Sequence, residues 1–307
     1  MILHNPVLLK ESVDALVINP DGLYVDGTFG RGGHSSAILN KLSKEGSLLA
    51  LDKDYEAVAH GRTQFPQELR ITVIHASFGG LSKVLEKLGS RTPSGILLDL
   101  GVSSPQIDTS SRGFSFMRDG PLDMRMDQTN GESAKDWLNK ASENDIASVL
   151  KQFGEERFAK RIAKAIGHER LDSPIESTVR LAKIVSDAHP AWTSSQHPAT
   201  KTFQAIRIYI NKELDELNDF LRAVIDLLEI GGRLVIISFH SLEDRCVKRF
   251  IRNQQRGLET PKYLPIKDFD RKVRLVGIGS AVKPTKEEIA NNWRARSAVM
   301  RVAERVA

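Results

Sequence analysis

The 307-residue chain is poor in cysteine, in aromatic residues and in long apolar runs. Its single cysteine, Cys246, excludes an intrachain disulfide and any thiolate zinc cluster, and no metal-ligand set is read elsewhere. Aromatic residues make up only 6%, yet hydrophobic residues reach 40%, enough for a sizeable core without cross-links. No stretch approaches the roughly 18 to 20 apolar residues that a membrane span needs. The segment Met1-Ile2-Leu3-His4-Asn5-Pro6 lacks the basic and apolar regions of a secretory signal. These absences point to a reducing, cytoplasmic setting with no membrane partner. Disorder is excluded as the main state, because apolar residues are plentiful and the 27% charged residues are of mixed sign.

The net charge of +5 conceals an asymmetry. From Arg245 to Ala307 there are 16 Lys/Arg against 6 Asp/Glu, whereas residues 1–244 hold 28 against 33. A basic end on a mildly acidic body favours a polyanionic partner, with nucleic acid ahead of a merely solvated surface.

Short apolar runs alternate with helical stretches through the first third. Leu23-Tyr24-Val25, residues 47–51, 71–74 and 95–98 read as strands, separated by helical patterns over 34–42, 55–65 and 81–88. This alternation predicts an α/β fold, with βαβ units on a mostly parallel, Rossmann-like sheet. A fifth strand is expected over 233–239, entered through Gly231-Gly232. Roughly 130 residues separate the fourth and fifth strands, far more than a crossover requires. The apolar stripe Ile206, Ile210, Leu214, Leu217, Leu221, Val224 and Leu228 supplies the crossover helix. The remainder reads as a small helical domain, residues 107–202, inserted into a discontinuous domain of residues 1–106 and 203–307.

In an open parallel sheet, ligands bind beyond the carboxyl ends of the strands. The first strand runs into Asp26-Gly27-Thr28-Phe29-Gly30-Arg31-Gly32-Gly33-His34, with four glycines in seven residues, more than a tight turn requires. The spacing G-x-x-G-x-G-G does not match the dinucleotide fingerprint. Asp52 at the second strand tip is placed to accept the hydroxyls of a ribose, while Asp54 suits the helix N-cap. Phe78 after the third strand suits either an adenine or the core. Asp99, leaving the fourth strand, needs a partner if buried. Together these features read as a nucleoside cofactor pocket. Without a diphosphate loop, S-adenosyl-L-methionine is favoured over a dinucleotide, its cationic groups matching Asp26, Asp52 and Asp99.

Long motifs then carry a resemblance. The glycine segment 26–34 and residues 97–106 and 112–126 resemble the bacterial 16S ribosomal RNA cytosine-N4 methyltransferase family, RsmH (MraW). So do Gly154-Glu155-Glu156-Arg157-Phe158-Ala159, His197-Pro198-Ala199-Thr200, residues 238–245 and Arg294-Ala295-Arg296-Ser297-Ala298. The likeness runs from His4 to Arg305. Trp293 departs from the family pattern, which has proline there. The resemblance implies a class I S-adenosylmethionine-dependent methyltransferase fold. It implies methylation of a cytosine in the decoding centre of the small ribosomal subunit, with 16S rRNA as partner. Carried over by residue, it implies cofactor contacts at Gly32, Gly33, His34, Asp52, Phe78, Asp99 and Gln106. His34 has a second reading as a surface residue in the first turn of a helix.

A cytosine N4 is a weak nucleophile, so transfer depends on in-line positioning and on acceptors that polarise the amine. Ser104 and the carbonyls flanking Pro105 are candidate acceptors, although an ordinary polar turn is a second reading. His240, at the tip of the fifth strand, either faces the base or holds its loop. Methylation at cytosine C5 would require an attacking thiolate. Cys246 does not suit that role, because Ser241-Leu242-Glu243-Asp244 reads as a capping box that places it inside a helix. Phe114, Phe116, Met117 and Met124, interleaved with Arg112, Arg118 and Arg125, read either as an RNA-stacking surface or as a hydrophobic hinge. Lys248, Arg249, Arg252, Arg256, Arg271, Lys272 and Arg274 are candidates for holding phosphates. Two alternatives stand beside this reading: a methyltransferase acting on another nucleic acid or a small amine, and a ribosome-binding protein that holds the cofactor without transfer. A homodimer is left open.

Overall fold

Apolar runs and helical patterns alternate through the first hundred residues, and the chain folds accordingly. The computed structural model describes residues 6–190, 197–257 and 273–307. Its first part runs α1 (Leu9–Leu16), β1 (Leu23–Asp26), α2 (Gly33–Lys41), β2 (Ser47–Asp52) and α3 (Tyr55–Gln64). It continues with β3 (Ile71–His75), α4 (Leu81–Leu88) and β4 (Gly95–Asp99). A helical stretch follows, with α5 (Ser104–Asp108), α6 (Ala134–Lys140), α7 (Glu143–Gly154), α8 (Ala159–Asp172), α9 (Thr178–Ala188) and α10 (Ala199–Ile210). The chain closes with α11 (Glu213–Leu227), β5 (Arg233–Ser238), α12 (Ser241–Arg256), β6 (Leu275–Gly277), α13 (Lys286–Asn291) and β7 (Val299–Arg305).

Two compact units result, one of residues 1–101 and 214–307, the other of residues 102–213. The first unit is a seven-stranded sheet in the order β3-β2-β1-β4-β5-β7-β6. Strands β1 to β5 are parallel, and β7 runs antiparallel to both β5 and β6. The order 3-2-1-4-5 is that of a doubly wound sheet, with its switch point between β1 and β4. Near-continuous apolar strands suit coverage on both faces. One face buries Leu49, Ile96, Leu98 and Ile236 with Phe220, Leu221 and Val224 of α11. The other buries Leu48, Leu97, Val235 and Ile237 with Leu16 of α1 and Ile38 of α2.

The second unit is helical around its own core of Trp137, Leu138, Ile146, Leu150, Ile162, Ile166, Leu181, Val185, Phe203 and Ile206. Serine caps start its helices: Ser133, Ser142 and Ser177 accept from the backbone amides of Asp136, Asp145 and Arg180. Among the described residues, no helix is long and apolar enough to cross a membrane.

Three expectations change. The stripe from Ile206 to Leu228 is two helices, α10 and α11, broken where Lys212 adopts φ 51. Asn211 holds that break by donating to the Arg207 carbonyl at 2.9 Å, and Arg207 pairs with Glu213 at 2.8 Å. Strands β6 and β7 were not expected, because β6 is only three residues long and charges interrupt the apolar alternation of β7. The capping box of α12 sits one residue earlier than the serine pattern suggested, with His240 at the N-cap and Glu243 at the third position.

Candidate functional site

Parallel register brings the tips of β1, β2 and β4 to one edge of the first unit. Asp26 lies opposite Ala50 of β2 and Leu97 of β4, so Asp52 and Asp99 stand two residues beyond it on either side. The glycine loop after β1 is stitched to both neighbours. The Gly27 amide donates to the Leu97 carbonyl and the Phe29 amide to the Leu51 carbonyl, each at 2.9 Å. The Asp99 amide donates to Thr28 Oγ1 at 2.6 Å, and the Gly30 amide to Asp52 Oδ2 at 2.7 Å.

The loop ends at Gly32, which caps α2 with φ 71, a conformation that costs little only without a side chain. At Gly33 an added Cβ would fall 2.2 Å from Pro6 Cγ, so the segment before α1 lies directly against the backbone there. Next to it, His34 is buried, with Nε2 3.1 Å from the Val7 carbonyl and Nδ1 3.7 Å from Asp99 Oδ2. Burial pushes its imidazole down to about 4, so the ring is neutral at ordinary pH and Nε2 carries the proton. His34 is therefore no surface residue of the first helical turn.

Three carboxyls share one edge, Asp26 buried and Asp52 and Asp99 half-buried, and desolvation there opposes their ionisation. Burial pushes Asp26 up to about 6 against the hydrogen bonds from Ser35 Oγ at 2.6 Å and the Thr28 amide at 3.2 Å. Burial likewise lifts Asp52 to about 6, although its Oδ1 accepts from the Asp54 amide at 2.8 Å. Asp99 is pushed well above the usual carboxylate range, first by burial and then by Asp26 and Glu243. Its Oδ1 is buried without a hydrogen-bond donor among the described residues. A buried acceptor in that state costs free energy until a donor arrives, and a cationic amine is the group that best relieves three such acids. The residues at this edge thus fit S-adenosylmethionine, whose sulfonium and amine are both cationic.

Other expected site residues have definite places. Phe78 is buried and stands edge-on to Phe220, ring centroids 5.7 Å apart, as core packing predicts. Ser104 and Pro105 open α5 in the second unit, where Pro105 loses nothing by lacking an amide hydrogen. Gln106, also in that unit, is buried, and its Oε1 accepts from the Ser103 amide at 2.9 Å. His240 Nδ1 accepts from the Glu243 amide at 3.4 Å, and Nε2 lies 3.1 Å from Glu243 Oε1. Its ring is thereby engaged in starting α12.

The stacking surface expected over 112–126 is largely interior. Arg112 is buried and donates to the carbonyls of Arg125 and Met126. Met124 is fully buried, Arg125 is paired with Asp123 at 2.8 Å, and Phe116 packs against Phe203 and His197. Met117 and Arg118 alone of that set are exposed. On α12, by contrast, Arg245, Lys248, Arg249, Arg252 and Arg256 fall within about 100° of arc opposite the buried Val247 and Ile251. Lys248, Arg249, Arg252 and Arg256 have no ion-pair partner among the described residues. A cleft of about 250 Å³ beside them is lined by Lys248, Arg252, Gln255, Gly279, Ser280 and Arg301. Arg274 is paired with Asp226, whereas Arg271 and Lys272 lie outside the described residues.

How the loops are held is not visible in residue order. Thr28 and Ser35 bond Asp99 and Asp26, and Glu216 of α11 takes both Lys53 Nζ at 2.7 Å and Ser77 Oγ. A pair 163 positions apart leaves no trace in sequence spacing.

A doubly wound sheet that gathers a glycine loop and three acidic tips at its switch point defines a class I methyltransferase that uses S-adenosylmethionine. The chain belongs to the MraW methylase family, whose model matches residues 1–306. It is 56% identical over 305 residues to ribosomal RNA small subunit methyltransferase H of Chromohalobacter salexigens, covering 99% of this chain and 92% of that protein. Proteins of the same description from Alteromonas mediterranea and Nitrosococcus oceani are each 52% identical. Those matches cover 99% and 98% of this chain, and 97% and 96% of the two proteins.

Proposed function

We propose that this chain methylates the exocyclic N4 of a cytosine in the decoding centre of 16S ribosomal RNA. The observation that carries the cofactor half is Asp99, a half-buried acid whose Oδ1 is buried and unsatisfied, beside two further raised carboxyls. The RNA half is supported by the cationic face of α12 and by what the relatives' names say they act on. Five cations over about 16 Å of helix match a chain of phosphates and have no use for a small neutral amine.

When bound, S-adenosylmethionine supplies an electrophilic methyl group on a sulfonium sulfur. Gly32 and Gly33 shape the end of the loop beside it, Asp52 accepts the ribose hydroxyls, and Asp99 takes the cationic amine. His34, neutral and fixed by Val7, packs beside Asp99 without adding a competing positive charge. Phe78 bounds the adenine side, and Gln106 holds the start of α5 so that the preceding loop keeps its shape. Ser104 Oγ and the carbonyls flanking Pro105 accept hydrogen bonds from the target amine, drawing electron density onto N4, which gives up one proton to water as it takes the methyl group. His240 acts as a positioning residue that fixes the turn from β5 into α12. The second unit, residues 102–213, shapes RNA recognition.

The test is incubation of unmodified small-subunit particles with labelled cofactor, followed by mass-spectrometric mapping. A methyl on N4 of one decoding-centre cytosine is expected. Label at C5, or none in the small-subunit RNA, would overturn the proposal.

A further inference from the structure

The sheet edge that carries the acidic cluster also carries an aromatic group that methyl transfer does not use. Because β7 is antiparallel to β5 and pairs Val299 with Ser238, the turn before β7 lies at the carboxyl end of β5. That turn is a 3₁₀ segment, Trp293–Ser297. Ala295 and Ala298 bury completely into the sheet-face core and pin it from below. The preceding α13 is tied to the same neighbourhood, since Glu288 Oε1 accepts the Leu8 amide at 2.7 Å and the adjacent Val7 carbonyl meets His34.

With the alanines inward, Trp293, Arg294 and Arg296 face outward. The Trp293 indole is 66% exposed, and the Arg296 guanidinium lies over it, 4.4 Å from the ring centroid. The cation orders the ring and adds charge beside its π face. Stacking on such a face suits any unpaired base, and a neighbouring arginine suits the phosphate next to it. An apolar protein partner would want a broader apolar patch. Here the neighbours in sequence are the polar Asn291, Asn292, Arg294 and Arg296, and Arg296 lies over the ring.

We propose that Trp293 and Arg296 form a stacking platform for an unpaired base flanking the target nucleotide of the RNA substrate. This rests on the reading that the substrate is RNA. Trp293 takes the base, and Arg296 both holds the indole and meets the adjoining phosphate.

The test compares the parent with Trp293→Ala, Trp293→Phe and Arg296→Gln. Affinity for an unmodified small-subunit RNA transcript is read by anisotropy, RNA-induced quenching by tryptophan emission, and cofactor affinity by calorimetry. Trp293→Ala is expected to weaken RNA binding roughly tenfold and to raise the KM for RNA, with cofactor affinity unchanged. Trp293→Phe should keep most of the affinity while losing the RNA-induced quenching, and Arg296→Gln should fall between them. Parent-like RNA affinity in Trp293→Ala would overturn the platform and leave the RNA reading standing. A parent that binds cofactor but neither the transcript nor unmodified small-subunit particles would overturn both.

Discussion

Asp52 Oδ2 accepts the backbone amide of Gly30 at 2.7 Å, which ties the tip of β2 to the loop that follows β1. One carboxylate therefore shapes the glycine loop, and in the proposed function its remaining lone pairs accept the ribose hydroxyls. Each such bond to a charged acceptor contributes about 1.5–3 kcal/mol. Asp52→Ala should weaken cofactor binding by one to two orders of magnitude, measured calorimetrically. Asp52→Asn should also weaken it, because its amide group would face a backbone donor. Unchanged affinity in both variants would remove Asp52 from the pocket.

The acidic edge makes binding depend on pH. In the folded protein Asp26 and Asp52 hold protons up to about pH 6, while unfolded carboxyls release theirs near 4. Their contribution to stability is fully present below about pH 4 and is lost as pH rises through 6. His34 has the opposite sign: pushed down to about 4, it contributes stability at neutral pH that is lost as pH falls from about 6.5 through 4. A cationic ligand favours the ionised acids, so cofactor affinity should rise from pH 5 to 7 with release of protons. Calorimetry in buffers of different ionisation heat measures that release. Asp26→Asn should reduce it, and a pH-independent affinity would contradict the arrangement.

Cys246 sits within α12, half-buried, and its Sγ donates to Asn218 Oδ1 at 3.0 Å. Burial pushes the thiol up, away from the thiolate a covalent route requires. Methyl transfer by Cys246→Ser should match the parent. An inactive but folded variant, judged by circular dichroism and cofactor binding, would restore a covalent mechanism.

On α12, replacing both Lys248 and Arg252 with glutamine should weaken binding of the small-subunit transcript. It should also flatten the salt dependence, by roughly 0.7 to 0.9 of slope per lost phosphate contact. Cofactor affinity should stay constant, since neither residue is at the acidic edge. An unaltered slope would place the RNA elsewhere.

Much of this architecture could be read from residue order. Strands β1, β2, β4 and β5 announced themselves as apolar runs, because a strand covered on both faces must be apolar throughout, and the edge strand β3 by its β-branched run over residues 71–74. Asp54 was legible as a cap, and it accepts the Glu56 amide at 3.0 Å. Strands β6 and β7 were not legible, since β6 is three residues long and Arg301, Glu304 and Arg305 break the pattern of β7, and only pairing lets such segments complete a sheet. Arg112, Arg125 and Met124 looked like a contact surface because sequence cannot tell a buried, hydrogen-bonded arginine from an exposed one.

Residue order alone determined the parallel sheet, the glycine loop and the acidic residues that follow its strands, because strand period and turn chemistry are local. Tertiary structure alone decided that Asp26, Asp52 and Asp99 share one edge and hold their protons to higher pH than free carboxyls, that His34 is neutral, and that Phe78 leans on Phe220. Those properties come from burial and from neighbours distant in the chain. Desolvation, which sets the charge of an acid, exists only once the strands have paired.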